Sequence, residues 1–358
     1  MLDQLKYQPI HSIPESGEIT AKSPSNIALV KYWGKKPIQI PTNPSISFTL
    51  TNCFTKTSIS FKKSNSFSFN FTVKGVAKPS FIPKIESFLD RIKKWCPFLF
   101  YYQIDIDTEN TFPHSSGIAS SASGFSALSL AIVELEQKIT GITNENKYLK
   151  ASFLSRLGSG SASRSLYGPA AIWGHHKNIS STNDHYAIAY HDLHENFKNY
   201  QDTILLIDKG TKKVSSTVGH ELMHNHPFSK ERFLQAHNNL ENMISVLQNG
   251  DLDKFIEISE SEALTLHAMM MTSKPYFILM KQGTLSAIEL IWSFRKESNI
   301  PLSFTLDAGA NVHLLYPLAY KQQVLDFIGS ELIVYCENQQ YICDEVGSGA
   351  NIISASYA

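Results

Sequence analysis

The chain has 358 residues, 42% of them hydrophobic, with 32 basic and 32 acidic side chains and a formal net charge of zero. That is enough for two domains sharing a cleft or for one large one, and the charge balance excludes a global field favouring nucleic acid. The four cysteines (Cys53, Cys96, Cys336, Cys343) are scattered, no apolar run spans a membrane, and residues 1–18 are polar with several acids, so we expect no disulfide framework, cysteine zinc site, membrane partner or signal peptide, and a cytoplasmic setting.

Residues 18–107 read as short strands, at 45–51, 57–61, 67–73 and 103–107, interrupted by a helix over 84–94. A second helix follows 110–124, its apolar stripe carried by Phe125, Leu128, Ile132 and Leu135 at spacings of one helical face. A third spans about 148–156, and strand signals return at 170–173 and 187–191. The polar segment 191–201 reads as a joint between domains 1–196 and 197–358. Beyond it we expect a strand at 203–208, helices over 230–248, 252–271 and 284–297, and strands at 303–306 and 312–316. A last helix over 320–328, closed by Gly329, precedes a final strand at 332–336. Strands and helices mix without regular alternation, which makes the class α+β.

The stretch from Asn110 through Pro113, Ser116, Gly117, Ala119, Ser120, Ser121 and Ser123 to Gly124 carries the most information. A strand, a loop of small hydroxyl-bearing residues and a helix start bring unpaired N–H groups and a dipole end to one point, a site for phosphate. No Walker motif G-x-x-x-x-G-K-[ST] occurs. The competing explanation is a small-residue turn that lets a helix pack closely on a sheet.

Two further segments decide between them: Ser25-Asn26-Ile27-Ala28-Leu29-Val30-Lys31-Tyr32-Trp33-Gly34-Lys35, followed by 41–47, and Gly158-Ser159-Gly160-Ser161-Ala162-Ser163-Arg164-Ser165-Leu166-Tyr167-Gly168. With Phe304-Thr305-Leu306-Asp307-Ala308-Gly309-Ala310-Asn311, they resemble the diphosphomevalonate decarboxylases of the GHMP kinase superfamily, in order and spacing, over most of the chain. The resemblance implies an N-terminal domain like ribosomal protein S5 domain 2, a ferredoxin-like C-terminal domain, and ATP-dependent conversion of (R)-5-diphosphomevalonate to isopentenyl diphosphate, ADP, phosphate and CO₂. A homodimer is a further implication.

Such a reaction needs a grip on two polyanions, a group to orient or deprotonate a tertiary alcohol, and protection from bulk water. By resemblance, Tyr32, Lys35, Ser159, Ser161 and Arg164 hold the diphosphate, and Asp307, with Lys31 nearby, handles the alcohol proton. The loop of Asn110, Pro113, Ser116, Gly117, Ala119, Ser120, Ser121 and Ser123 holds ATP, with Ser121 facing phosphate or Mg²⁺. Ser215, Ser216 and Thr217 match a segment lining the cleft. Taken singly, each lysine reads as a solvated charge and Asp307 as a turn residue.

His220-Glu221-Leu222-Met223-His224 matches the H-E-x-x-H pattern of zinc metalloproteases, an enzyme of another class. Val218-Gly219 before it and Asn225-His226-Pro227 after it cut short the helix such a site requires. We therefore expect a short turn with solvent-facing histidines. A non-catalytic phosphate sensor is disfavoured because both Asp307 and Lys31 are present. Where the family reads P-T-A-A-G this chain has Pro113-His114-Ser115-Ser116-Gly117, and Lys36-Pro37 replaces Arg-Asp before a shorter loop. Ala310 stands for proline in A-G-P-N, and Ser163 stands for cysteine. The first two departures, where substrate phosphates should bind, leave open a phosphomevalonate decarboxylase, or a relative of mevalonate 3-kinase that phosphorylates without decarboxylating.

Overall fold

The first strand is one that periodicity conceals. In the computed structural model, which describes residues 2–8, 13–113, 118–210 and 216–358, β1 (Ser16–Val30) is buried on both faces from Ser23 through most of its remaining length. The alternation that marks a half-buried strand is therefore missing. Pro24, which cannot donate to a ladder, sits at a register shift against the neighbouring strand.

The ribbon β2 (Lys35–Lys36) and β3 (Ile40–Pro41) follows, then β4 (Ser45–Lys63). The expected strands at 45–51 and 57–61 are one continuous β4. Its first residues are covered on both sides and its later ones alternate, so two burial regimes look like two elements. β5 (Ser68–Val73), β6 (Val76–Ala77), α1 (Ile82–Ile92) and β7 (Tyr102–Asn110) come next. After them lie α2 (Ser120–Thr140), α3 (Asn144–Gly158), β8 (Ala170–Trp173) and β9 (Ile188–Tyr190).

The second half holds β10 (Gln201–Leu205), α4 (Ser216–Glu221), α5 (Ser229–Asn249), α6 (Leu252–Met271), α7 (Gln282–Ser298), β11 (Ser303–Leu306), β12 (Val312–Tyr316), α8 (Lys321–Phe327), β13 (Tyr341–Glu345) and β14 (Asn351–Tyr357). Among the described residues, eight strands form one sheet around the order β14-β1-β4-β7-β5-β6, with β8 and β9 attached through β4. Four form a second, β11-β12-β10-β13. The chain thus ends paired to β1, antiparallel, in the first sheet.

The strand expected at 332–336 is absent. Helical structure continues through Gly329 as a wide turn, Ile328–Leu332, and a 3-10 turn, Ile333–Tyr335. Ile328 and Leu332, four residues apart, are both buried, so an apolar run that looks strand-like packs with helical spacing. The real last strands, β13 and β14, are largely exposed edge segments with little apolar signal. No described helix is long and apolar enough to cross a membrane.

α2 shows why the serine-rich segment is a helix on a sheet. Phe125, Leu128, Ile132 and Leu135 are all buried as expected, and so are Ser123, Ser126 and Ser129 on its other positions. Ser126 Oγ accepts from Ser23 Oγ (2.7 Å) and Ser123 Oγ bonds Thr55 Oγ1 (2.6 Å), tying α2 to β1 and β4. Small hydroxylated side chains allow this approach, and those of Ser123 and Ser126 find partners on the sheet, whereas Ser129 Oγ has none among the described residues.

The two sheets share a core. Ile27 and Leu29 of β1 and Phe48 and Leu50 of β4 pack in one cluster with Phe197, Tyr200 and Ile204, and with Ala236, Leu240 and Met243 of α5. At the end of β1 the join becomes polar. Glu262 of α6 and Arg232 of α5 form a fully buried bidentate pair (Arg232 Nη2 to Oε2 2.5 Å, Nη1 to Oε1 2.9 Å). The Glu262 carboxylate accepts the Lys31 backbone N–H (2.8 Å), and Arg232 donates to the Lys31 carbonyl (3.1 Å). Removing one partner strands a buried charge. We expect Arg232→Ala to lower unfolding stability by about 3–5 kcal/mol in denaturant titration, and a double replacement of Arg232 and Glu262 by Met to recover much of it. A loss under about 1 kcal/mol, the range of exposed pairs, would contradict this role.

Candidate active site

A cleft of about 1200 Å³ opens beside the end of β1. Its walls come from residues 31–35, from the start of α2, from the 158–164 turn and from α1, and His220, Glu221, Leu266, Asp307 and Ala308 complete it from the second half.

Lys31 and Asp307 meet there. Lys31 is 2% exposed, and its Nζ donates to the Ala28 carbonyl (2.6 Å) and to Asp307 Oδ1 (3.3 Å). Burial lowers the lysine pKa, and the Asp307 carboxylate acts against that shift. Asp307, 26% exposed, directly follows β11. Its backbone carbonyl accepts from His267 Nε2 of α6 (3.0 Å) and from the Gly309 N–H (2.7 Å), which fixes where the side chain leaves the chain. Arg164 is buried beside them. It donates through Nε to Ser47 Oγ (3.1 Å), through Nη1 to Ser45 Oγ (2.6 Å) and through Nη2 to Asn26 Oδ1 (3.2 Å). Burial brings its pKa down to about 10, with Asp307 opposing, so it stays charged at neutral pH. Each Nη keeps a further N–H for a ligand.

The neighbouring wall carries Tyr32, Lys35, Ser159 and Ser161, all lining the cleft with Arg164. The Tyr32 hydroxyl is buried and, among the described residues, has no hydrogen-bond partner. An orphaned buried donor asks for a ligand or water oxygen. Gly160 is required beside it, because a Cβ there would lie 2.7 Å from the Trp173 ring and 2.9 Å from Tyr32 Oη.

At the other end, Asn110, Ala119, Ser120 and Ser121 line the cleft. Ala119 takes a left-handed conformation (φ 44°, ψ 40°) immediately before α2, and among the described residues no side chain caps the helix. For a residue with a Cβ that backbone is strained by about 1–2 kcal/mol, and it leaves first-turn N–H groups available to an anion. Ser121 Oγ lies 3.2 Å from Ser159 Oγ, joining the two loops. Ser123 belongs elsewhere: it is fully buried against Thr55 and the Ser120 carbonyl, because helical rotation carries it to the sheet face. Pro113 is half-buried and is not among the lining residues, while Ser116, Gly117 and Ser215 lie outside the described residues.

The H-E-x-x-H segment does not take the helical arrangement its pattern suggests. No group of three or more His, Cys, Asp or Glu among the described residues is placed to hold a metal. α4 ends at Glu221, so the histidines do not share a continuous helix face. The expectation of two solvent-facing histidines holds for His224 alone. His220 is buried between the rings of Tyr32 (4.2 Å) and Trp33 (4.6 Å), and its Nδ1 accepts the Gly34 N–H (2.9 Å). Gly34 reaches it with φ of 102°, a backbone that favours glycine. Burial holds the His220 pKa down near about 3, with Lys35 and Arg164 adding to the effect.

Asn26, Ser45 and Ser47, which orient Arg164, and Arg232, Glu262 and His267, which hold Lys31 and Asp307, went unrecognised in the sequence. Asn26 sits inside the S-N-I-A-L-V-K motif, and Ser45 and Ser47 inside the 41–47 segment that follows it, so these three could have been suspected; Arg232, Glu262 and His267 carry no local signal.

Comparison with known proteins agrees with this geometry. Residues 23–187 match the model of the diphosphomevalonate decarboxylase-like N-terminal domain, and residues 203–352 match that of the mevalonate 5-diphosphate decarboxylase C-terminal domain. A diphosphomevalonate decarboxylase of Gibberella zeae is 30% identical over 82% of this chain and 79% of its own length. A phosphomevalonate decarboxylase of Haloferax volcanii is 25% identical over 82% and 87%. The crystal structure of mevalonate diphosphate decarboxylase from Staphylococcus aureus, 29% identical, superposes with a TM-score of 0.82 over 95% of this chain and 98% of that one. A structure of MDDEF in complex with MVAPP, AMPPCP and magnesium, 27% identical, gives 0.81 over 94% and 99%. The fold is that of the GHMP kinase superfamily, and the chain belongs to the diphosphomevalonate decarboxylase family.

Proposed function

We propose that this protein uses ATP to convert (R)-5-diphosphomevalonate to isopentenyl diphosphate, ADP, phosphate and CO₂. The observation that carries this reading is the Asp307 carboxylate inside the cleft, against the buried ammonium of Lys31 and beside Arg164.

Hydroxide is a poor leaving group, so the tertiary alcohol is phosphorylated first. Asp307 orients the hydroxyl and accepts its proton as the oxygen attacks the terminal phosphoryl group of ATP. Lys31 holds the carboxylate in place and supplies positive charge where phosphate oxygens gather. Phosphate then departs, and loss of CO₂ from the neighbouring carboxylate neutralises the developing positive carbon as an alkene. Tyr32, Lys35, Ser159, Ser161 and Arg164 grip the diphosphate tail, with the Tyr32 hydroxyl finding the acceptor it lacks. The start of α2, with Asn110, Ala119, Ser120 and Ser121, takes the ATP phosphates.

A magnesium ion travelling with ATP fits this donor set. Serine hydroxyls and isolated carboxylates suit a cation that keeps water and phosphate oxygens as most of its ligands. Bound there, it would neutralise charge on the triphosphate. The four free cysteines, three of them buried, support our placing the reaction in the cytoplasm.

The monophosphate of mevalonate is the second reading, favoured by the similarity to the Haloferax volcanii enzyme and by Lys36-Pro37 in the tail-binding segment. ADP release and CO₂ should be followed together on mevalonate, its monophosphate and its diphosphate. We expect matched ADP and CO₂ on the diphosphate; faster turnover of the monophosphate would replace the reading, and ADP without CO₂ would mark a kinase. Asp307→Asn should reduce turnover roughly 10²- to 10⁴-fold without loss of nucleotide affinity. Full activity in that variant would remove Asp307 from the mechanism.

A further inference from the structure

The cleft that is to receive two polyanions is lined by Lys31, Lys35, Arg91 and Arg164 among other cations, and, among the described residues, by two carboxylates. One is Asp307, which the chemistry uses. The other is Glu221, which it does not. Glu221 Oε1 lies 3.7 Å from Lys35 Nζ, with the acid 59% and the lysine 13% exposed. An acid facing a phosphate site repels its ligand, and the repulsion grows with the ligand's charge.

The surroundings hold Glu221 in that place. It is the last residue of α4 and follows His220, which is wedged between Tyr32 and Trp33 and bonded to the Gly34 N–H. The residue after Gly34 is Lys35. The acid and its lysine are therefore anchored to the same short piece of chain, one through its backbone and the other through a buried neighbour.

Resting on the assignment of Lys35 to the substrate tail, we propose that Glu221 is a specificity-determining residue. It occupies Lys35 when the tail site is empty, is displaced by the incoming phosphate, and weakens tail binding more for a diphosphate than for a monophosphate. The H-E-x-x-H pattern in this chain thus marks a charge counterweight rather than a metal site.

The test is calorimetric titration of the whole protein with sodium pyrophosphate and with inorganic phosphate. A non-hydrolysable ATP analogue fills the nucleotide end, and wild type is compared with Glu221→Gln, Lys35→Gln and the double variant. Glu221→Gln should bind pyrophosphate roughly two- to fivefold more tightly, the range of an exposed ion pair, and gain less for phosphate. The gain should vanish in the Lys35→Gln background and shrink in high salt. In turnover, KM for the phosphorylated substrate should fall while KM for ATP holds. No gain, an equal gain for both anions, or a gain that survives without Lys35 would overturn the proposal. The anion titrations need no catalysis, so a protein that shows this pattern yet fails to decarboxylate would refute the proposed function and leave the role of Glu221 standing.

Discussion

A lysine ammonium buried to 2% exposure needs partners, and those of Lys31 come from both halves of the molecule. The Ala28 carbonyl belongs to its own strand, whereas the Asp307 carboxylate is delivered by the end of β11 in the other sheet. An unpaired buried charge is expensive enough that the two sheets are held to the one relation that brings these groups together. The same requirement places the Asp307 carboxylate in the cleft. Behind it, the Arg232–Glu262 pair grips the Lys31 backbone from both sides, and His267 holds the Asp307 carbonyl. Lys31 and Asp307 are thus each braced by residues that line no part of the cleft, the preorganisation that the proposed chemistry would use.

Much of this was readable in the chain. The K-Y-W-G-K and G-S-G-S-A-S-R-S-L-Y-G segments and the aspartate before Ala308-Gly309 do face one cavity, and the helix stripe of Phe125, Leu128, Ile132 and Leu135 is buried. What escaped depends on long-range burial. β1 carries no alternation because both faces are covered, and β4 changes regime midway and so resembles two strands. The run 332–336 is apolar for helical packing, and β14 pairs with β1 across more than three hundred residues, a partnership no local pattern encodes. Ser123 illustrates the limit within a motif. In a run of serines the helical rotation decides which face the cleft and which face the sheet, and Ser123 faces the sheet.

The H-E-x-x-H segment shows how little a short pattern means without its setting. The spacing that puts two histidines on one helix face is void once the helix stops at Glu221. His220 instead becomes a spacer between two aromatic rings, its basicity suppressed by burial, and its neighbour brings a carboxylate to Lys35 in the cleft. The chemistry of the residues is unchanged; their context assigns the work.

In the proposed mechanism Asp307, fixed by Lys31, addresses the hydroxyl that changes. The decisive measurement is a crystal structure of this protein with diphosphomevalonate and a non-hydrolysable ATP analogue. The Asp307 carboxylate should lie within hydrogen-bond reach of the tertiary hydroxyl, about 2.6–3.2 Å or through one water, with Lys31 still against it. A substrate whose hydroxyl sits elsewhere in the cleft, with Asp307 turned from it, would remove Asp307 from that role.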